Sequence, residues 1–273
     1  METIITDKMT FGGNCLAKIG GKAVFVPFAI PGEKLEVEII QEKRDYSYAK
    51  IVDIVEASPF RVKPVCPLYE KCGGCNMMHI EPEFQQKLRK EILKDCMERN
   101  GIHLETDSIE VISGSNLNYR CRFQLNDGGF CERNSNRIIF VENCACAVPE
   151  INKWLSDNGI SSRPKGRCHI FGAENVICED GTEDGKVFVS PEEEKNFTDY
   201  SSLKKKNKNI RQVKKRYSGT TISEKDTVKI KILDKEISFD VKGFFQSNIS
   251  VLEKSIKAIC GGLAGNSVLD MYS

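Results

Sequence analysis

Three cysteines within ten residues constrain this chain more than any other feature. Cys66, Cys72 and Cys75 lie in the run CPLYEKCGGC, with the spacing Cys-x5-Cys-x2-Cys. Thiolates are soft metal ligands, and Gly73 and Gly74 let the backbone fold tightly enough for the sulfurs to converge on one centre. A set of free buried thiols is the alternative, but three cysteines so close together favour a metal site.

A metal site of this kind needs a fourth ligand, because tetrahedral zinc and cubic iron–sulfur clusters both usually take four. The run NCACAVPEIN offers Cys144 and its near neighbour Cys146. Four thiolates suit zinc and iron–sulfur clusters alike, so the spacing by itself leaves the metal open.

The composition indicates a globular protein of a reducing compartment. The chain has 273 residues, 40% of them hydrophobic, which is enough to bury a core in more than one domain. Forty basic and 39 acidic residues give a net charge of +1, so any electropositive surface must be local. The run METIITDKMTFGG has no apolar signal-peptide core, and no segment is long enough to span a bilayer. We therefore expect a cytoplasmic protein without membrane contact. In the reducing cytoplasm, clustered cysteines bind metal more often than they form disulfides.

Residues 1–57 are predicted to form a small all-β domain. Leu35, Val37 and Ile39 alternate with glutamates, which is the two-residue period of a half-buried strand, and residues 49–55 predict another strand. Short strands separated by glycine-rich turns are typical of a small closed barrel.

A central domain, residues 58–225, is predicted to follow a proline-containing linker. Pro82 suits the first helical position and Gly101 the position just past the end, so a helix is expected between them. Residues 137–141 predict a strand that delivers Cys144 at its end. Four apolar residues of the helix fall four apart and form one stripe, expected to pack against the cysteine loop: Phe84, Leu88, Ile92 and Cys96.

The last part of the chain begins with a basic run. Residues 203–216, LKKKNKNIRQVKKR, hold eight basic residues and no acidic one. Such a run is either a solvated face or a surface that follows a phosphate backbone. From residue 226 the pattern predicts strand, strand, helix and strand, with an apolar helical stripe at Ile249, Leu252, Ile256 and Ile259.

Together, these runs resemble the S-adenosylmethionine-dependent RNA uracil-5-methyltransferases that carry an iron–sulfur cluster, in their ribosomal-RNA branch. The resemblance covers nearly the whole chain and is carried by FVPFAIPGE, YAKIVDIVEASPFR, CPLYEKCGGCNMMHI, NYRCRFQL, GFCERNSNRIIFVENCACAVPEIN, GFFQSN and SVLDMYS. It implies a multidomain fold with an N-terminal TRAM or OB-like β-barrel and a central mixed α/β cluster-binding domain. Over residues 226–273 it implies the beginning of a truncated Rossmann-like methyltransferase domain.

The resemblance also selects the metal and its ligands. The family pattern places the fourth cluster cysteine five residues before a proline, and Cys144 stands five before Pro149. It therefore implies a [4Fe–4S] cluster held by Cys66, Cys72, Cys75 and Cys144. Seven further cysteines match no family role and are interpreted as small apolar residues: Cys15, Cys96, Cys121, Cys131, Cys168, Cys178 and Cys260.

Two positions are implied to contact the S-adenosylmethionine cofactor. Gln246 in FFQSN has an amide that can hydrogen-bond to polar cofactor groups, whereas a strand-to-helix cap is its alternative role. Tyr272 in DMYS matches the aromatic position after the first strand of the cofactor-binding sheet, and core filling is the alternative.

The activity implied by the resemblance is transfer of a methyl group from S-adenosylmethionine to C5 of a uridine in ribosomal RNA. The family nucleophile and base are expected beyond Ser273, so no catalytic residue is assigned here and this chain is expected to be inactive alone. The rival hypotheses are a non-catalytic, cluster-stabilised RNA-binding module and a zinc-ribbon structural protein. We expect a monomer that grips ribosomal RNA through Lys18, Lys22 and Arg44 of the barrel.

Overall fold

The described part of the chain falls into two compact units. The computed structural model describes residues 1–173, 176–178 and 226–265. Within these, the first unit comprises Met1–Tyr119, Phe130–Ala147 and the segment that starts at Asn248, and the second comprises Arg120–Gly129 and the segment Val148–Ser247. The division into three domains at residues 57/58 and 225/226 stays a prediction.

The described elements follow one another in chain order. They are β1 (Glu2–Ile5), β2 (Lys8–Met9), β3 (Asn14–Ile19), β4 (Lys22–Pro27), β5 (Lys34–Glu42), β6 (Tyr46–Glu56), α1 (Pro82–Glu98), a 3-10 turn (Thr106–Ser108), β7 (Arg122–Asn126), β8 (Phe130–Cys131), β9 (Ile138–Ile139), α2 (Pro149–Asp157), β10 (Arg167–Gly172), β11 (Val176–Cys178), β12 (Thr227–Ile232), β13 (Lys235–Asp240) and α3 (Ile249–Cys260).

A six-stranded sheet forms the beginning of the first unit, as the alternation of apolar residues predicts. Its strand order is β1-β5-β6-β4-β3-β2, and only the β4–β6 pair in it is parallel. The β3–β4 hairpin turns at Gly20 and Gly21, whose φ angles of 56° and 83° suit the tight turns that twisted hairpins need.

Helix α1 packs on the hydrophobic core of this sheet. Pro82 occupies its first turn, and the chain turns away at Gly101, where φ is 76°, so the predicted helix is confirmed. Leu88 is buried in the barrel core, and Phe84 and Ile92 pack against the same core. The stripe was therefore predicted correctly, and the core that covers it combines residues of the barrel strands with Met77 of the cysteine loop and Ile80 at the end of that loop. The predicted strand 137–141 shortens to β9, two residues long.

The second unit is built on a three-stranded sheet and a hairpin. The sheet order is β11-β10-β7, and β12 pairs with β13. Fully buried Phe171 meets Phe239 and Phe245 with ring centroids 5.2 and 6.1 Å away. A Cβ at Gly172 would come within 2.5 Å of Ile151, so only glycine lets α2 pack this closely on β10.

Helix α3 belongs to the first unit. Asn248 caps it, since its Oδ1 accepts a hydrogen bond from the Val251 N–H at 3.1 Å. The predicted stripe thus lies on a helix, which ends before Gly261. The strand predicted after α3 lies outside the described residues.

A buried ion pair anchors the chain where it leaves the barrel. The Glu33 side chain is fully buried, and the Arg61 guanidinium donates to both of its oxygens at 2.6 Å. The backbone N–H groups of Ile30 and Ser58 donate to the same carboxylate at 2.8 and 3.1 Å. Burial opposes ionisation, but these donors outweigh it and lower the pKa of Glu33.

We expect Arg61→Met to lower the free energy of opening of the barrel by about 3 kcal/mol, because it leaves a buried carboxylate without its charged partner. Native-state hydrogen exchange at the β5 amides measures this. The matched control Lys34→Met removes an exposed ion pair with Glu56 and should cost under about 1 kcal/mol. Equal effects of the two variants would contradict the role of the buried pair.

The same site predicts a dependence on pH. Because the folded-state pKa of Glu33 is lowered, the unfolded chain takes up this proton first as the pH falls below the ordinary value of 4.5. The stability that Glu33 contributes is thus present above pH 4.5 and is lost below it. In Glu33→Gln, the stability of β5 should be lower at neutral pH and fall less steeply below pH 4.5.

Candidate metal centre

The two ends of the cysteine loop are joined by main-chain hydrogen bonds. Val62 N–H donates to the carbonyl of His79 and Glu81 N–H to that of Phe60, both at 2.9 Å. Between these two hydrogen bonds, Arg61 and Ile80 form an isolated antiparallel β-bridge. The residues between these paired segments therefore form a loop that is closed at its base. Arg61, whose side chain pairs with Glu33, lies in that base.

His79 fixes this base to the barrel. Its Nδ1 lies 2.7 Å from the Tyr69 hydroxyl, and its Nε2 lies 3.4 Å from the Ala29 carbonyl. Burial, reinforced by the charge of Arg61, lowers the pKa of His79 to about 4, so the ring is neutral at pH 7. A neutral ring accepts from Tyr69 and donates to Ala29, which ties the loop to the barrel without a buried charge.

The far side of the loop is attached to the segment after β8. Gly73 N–H donates to the Cys131 carbonyl at 3.1 Å, and Arg133 N–H donates to the Lys71 carbonyl at 2.7 Å. Cys72 also pairs with Glu132 as an isolated bridge. The local cysteine motif is therefore held by residues about sixty positions further along the chain.

The Arg133 side chain adds a second attachment, which sequence reasoning missed. Its guanidinium lies over the Phe28 ring, 4.6 Å from the centroid, and donates to the Cys75 carbonyl and to Asn76 Oδ1. Asn76 in turn donates to the carbonyl of Gly12 in the barrel at 3.0 Å. One arginine thus connects the last cysteine of the loop with the barrel, and no local pattern in the sequence signals it.

The structure brings the four predicted ligands into one neighbourhood. Burial raises the pKa of the Cys72 thiol, and the nearby thiols of Cys75, Cys144 and Cys66 raise it further. Among the described residues, no group of three or more His, Cys, Asp or Glu side chains is arranged to hold a metal ion. The ligand roles of Cys66, Cys72, Cys75 and Cys144 therefore stay a prediction.

Cys146 lies in the same neighbourhood. Its sulfur is buried and 3.8 Å from that of Cys75, and it also hydrogen-bonds with Cys144. The sequence offered Cys146 as an alternative to Cys144, and the structure places both beside the cysteine loop.

The predicted cofactor residue Gln246 is exposed, on a segment whose backbone is fixed. The Ser247 carbonyl accepts hydrogen bonds from Cys121 N–H at 2.9 Å and from Cys121 Sγ at 3.1 Å. Phe245 stacks on Phe239 with centroids 4.2 Å apart. The Gln246 side chain is thus held at the surface by its neighbours. Tyr272 and the basic run 203–216 lie outside the described residues.

The predicted RNA-binding cations differ in their surroundings. Lys18 is exposed, Lys22 donates to Glu42 at 2.9 Å, and Arg44, 95% exposed, lies 3.9 Å from Asp45. Neighbouring acids therefore offset part of the local positive charge.

Three aromatic rings cluster on the outward face of the same sheet. Phe25 lies 5.6 Å from Tyr46 and 5.7 Å from Tyr48, and the two tyrosines are 5.7 Å apart. Lys18 of β3 pairs with Ala23 of β4, and Ala23 pairs with Tyr46 of β6. The Lys18 cation therefore lies two strands away from Tyr46, at the side of the aromatic cluster. The result is a partly exposed aromatic surface beside an exposed lysine.

The comparisons with known proteins agree with this architecture. Residues 1–52 match the TRAM domain family. An uncharacterized RNA methyltransferase of Treponema denticola is 31% identical over 294 residues, which cover 100% of this chain and 62% of that protein. The 23S rRNA (uracil(1939)-C(5))-methyltransferase RlmD of Shewanella amazonensis is 32% identical over 53% of this chain and 35% of its own length. The chain is thus similar over its whole length to a protein named as an RNA methyltransferase. The matched part of the chain spans 62% of the length of the Treponema protein and 35% of the length of the Shewanella protein.

A solved structure shares the fold. The Pyrococcus abyssi tRNA (uracil-54, C5)-methyltransferase, determined with S-adenosyl-L-homocysteine, aligns with a TM-score of 0.54 over 98% of this chain and 67% of that one, at 16% identity. The predicted multidomain organisation and the TRAM-type sheet are thereby confirmed. In the part of the chain that the structure describes, no helix is long and apolar enough to cross a membrane.

We expect Arg133→Gln to raise the hydrogen-exchange rate of the Gly73 amide about tenfold, because hydrogen bonds from a charged group contribute about 1.5 kcal/mol or more. Mass spectrometry of peptides covering the loop measures this. Arg137→Gln is the matched control, since Arg137 is exposed and pairs only at the surface with Glu132. If the Gly73 amide exchanges at the same rate in both variants, Arg133 does not hold the loop.

Proposed function

We propose that a protein containing this chain transfers a methyl group from S-adenosylmethionine to C5 of a uridine in ribosomal RNA. The relationship to RNA methyltransferases over the whole chain carries this proposal. It is supported by the relatives named as 23S rRNA uracil-C5 methyltransferases and by the fold shared with a uracil-C5 enzyme.

Within this function, the TRAM-type sheet is proposed to bind RNA. Aromatic faces accept any base, and base stacking contributes about 1–3 kcal/mol per base. Phe25, Tyr46 and Tyr48 supply such faces, while Lys18 and Arg44 supply charges for the phosphates.

The four cysteines are proposed to hold a [4Fe–4S] cluster. The donor types fit, because burial raises the pKa of the Cys72 thiol and the thiols of Cys75, Cys144 and Cys66 lie close enough to raise it further. Bound iron would relieve that repulsion, since thiolates are its preferred ligands. Such a group would supply a covalent link between the cysteine loop and the segment of Cys144, which adds to folding stability.

Gln246 and Tyr272 are proposed to contact the methyl donor. Gln246 is suited to this because its side chain is exposed while its backbone neighbours are fixed by Cys121 and Phe239. Its amide both donates and accepts, so it can orient polar groups of the donor.

Methyl transfer and RNA binding can be tested together with S-adenosylmethionine labelled in its methyl group and unmodified 23S rRNA. Label in 5-methyluridine would support the methyltransferase. Tight, salt-dependent binding without label by a protein that contains this chain would instead support the alternative, a cluster-stabilised RNA-binding module. Absence of both would contradict the proposal.

We expect the double variant Tyr46→Ala/Tyr48→Ala to bind single-stranded ribosomal RNA at least about tenfold more weakly, because it removes two stacking faces. Fluorescence anisotropy with a labelled RNA fragment measures the affinity. Phe140→Ala, another partly exposed aromatic residue of the first unit, should change it by less than about twofold. Unchanged binding by the tyrosine variant would exclude the aromatic surface.

We expect Cys75→Ser to lose the proposed cluster and to melt at a lower temperature than the unchanged chain, because metal binding contributes to folding. Iron and acid-labile sulfide after anaerobic purification, together with the visible absorption, measure the cluster. Cys168→Ser, a buried cysteine of β10 in the second unit, is the matched control and should retain it. A colourless protein that holds zinc would rule the cluster out.

A further inference from the structure

The Phe11 side chain is an aromatic ring that stands almost entirely in solvent. It is 86% exposed and lies in the turn between β2 and β3, within the first unit. Exposure alone assigns it no role, because single apolar side chains are common on protein surfaces. The backbone that carries this ring, however, is fixed from two sides.

The turn is closed by its own hydrogen bonds. The N–H and the hydroxyl of Thr10 both donate to the Asn14 carbonyl, at 2.8 and 2.9 Å, and Gly13 N–H donates to the Thr10 carbonyl at 3.0 Å. Gly12 and Gly13 have φ angles of 97° and 87°, which glycine adopts without steric cost. Phe11 is therefore carried by a closed turn and not by a loose loop.

The cysteine loop holds the same turn from outside. Asn76 donates to the Gly12 carbonyl at 3.0 Å, and a Cβ at Gly13 would come within 2.9 Å of the Asn76 Cβ. Asn76 in turn accepts a hydrogen bond from the Arg133 guanidinium at 2.8 Å. The glycines of the turn thus lie against the cysteine loop, while the Phe11 ring beside them stays in water.

The turn continues the outward face that carries the aromatic surface. Leu16 of β3 pairs with Phe25 of that surface, and Asn14 pairs with Pro27. Asn14 lies two residues before Leu16, so it shares the same face and lies about 7 Å further along the strand. Because the turn joins β3 at Asn14, Phe11 follows the aromatic surface in the direction of the strands.

We propose that Phe11 stacks on an unpaired base of the RNA and extends the aromatic surface by one position. This inference rests on the proposed RNA-binding function of the sheet. An aromatic ring accepts any base on its face, and a ring on a fixed backbone loses little freedom on binding. Arg133, joined to the turn through Asn76, supplies a positive charge near the phosphates that flank such a base.

A base fits this ring better than an apolar protein surface does. A stable protein–protein interface needs a broad patch with an apolar centre. The residues beside Phe11 in the turn are instead polar residues or glycines: Thr10, Gly12, Gly13 and Asn14. One planar ring among polar neighbours matches the size and the chemistry of a single base.

The test measures binding of the full chain to a labelled single-stranded fragment of 23S rRNA by fluorescence anisotropy. Phe11→Ala and Phe11→Leu should each bind at least about fivefold more weakly, because both remove the stacking face. The slope of log affinity against log salt concentration should not change, since no phosphate contact is removed. Phe140→Ala is the matched control and should change the affinity by less than about twofold, as its ring lies outside the aromatic surface.

A second variant reports stacking directly. The indole fluorescence of Phe11→Trp should be quenched when the RNA is added, because a base stacked on an indole quenches it. Trp154 is the one tryptophan of the chain, so the unchanged chain measures the background signal. Thermal melting checks that each variant is folded. If Phe11→Ala melts early, Phe11→Trp still decides the question, because it keeps an aromatic ring in the same turn.

The other outcomes overturn the inference. If Phe11→Ala binds as tightly as the unchanged chain, or if the indole of Phe11→Trp is not quenched, no base stacks there. If Phe11→Leu binds normally and Phe11→Ala does not, the contact is apolar and not a stack. If the unchanged chain does not bind the RNA, the proposed RNA binding fails as well, and this result is distinguished because it appears before any substitution.

Discussion

The buried contact between Glu33 and Arg61 is the constraint on which the rest of the first unit depends. A carboxylate with no exposed surface is tolerated only when it is fully paired and hydrogen-bonded. Its donors come from the turn before β5 and from the linker after β6, namely Ile30, Ser58 and Arg61. All of them are in place only when the barrel is formed and the linker follows one path. The ion pair thereby fixes where the chain leaves the barrel and where the cysteine loop begins.

From that point, main-chain hydrogen bonds position the loop before any metal is considered. The pairing of residues 60–62 with 79–81 closes its base, His79 ties it to Ala29, and Arg133 holds its last cysteine. The cysteine loop thus differs from small metal-binding domains, which are unfolded without their metal. Here the metal would strengthen a loop that its surroundings already hold, so its loss should loosen the loop without unfolding the barrel.

The sequence predicted the features that depend on local patterns. Proline and glycine marked the ends of α1, and the two-residue period marked the strands of the barrel. The contact of Arg133 with Cys75, across 58 positions, was not predictable, because no local pattern encodes it. The approach of Cys146 to Cys75 across 71 positions was expected only because a metal site needs a fourth ligand. The stripe of α1 shows the same limit. Its period revealed an apolar face, but the identity of the core that covers this face is a property of the whole fold.

The charges of the barrel constrain how it could bind RNA. Lys22, Lys34 and Lys50 each face a glutamate at 2.7–3.2 Å, so little of their charge is available to phosphates. With a net charge of +1, the chain cannot rely on a broad positive field. Binding by this sheet must therefore depend on stacking and on a few cations such as Lys18, and few counterions would be released. A surface of this kind favours single-stranded RNA with unstacked bases over a duplex, whose bases already stack on one another.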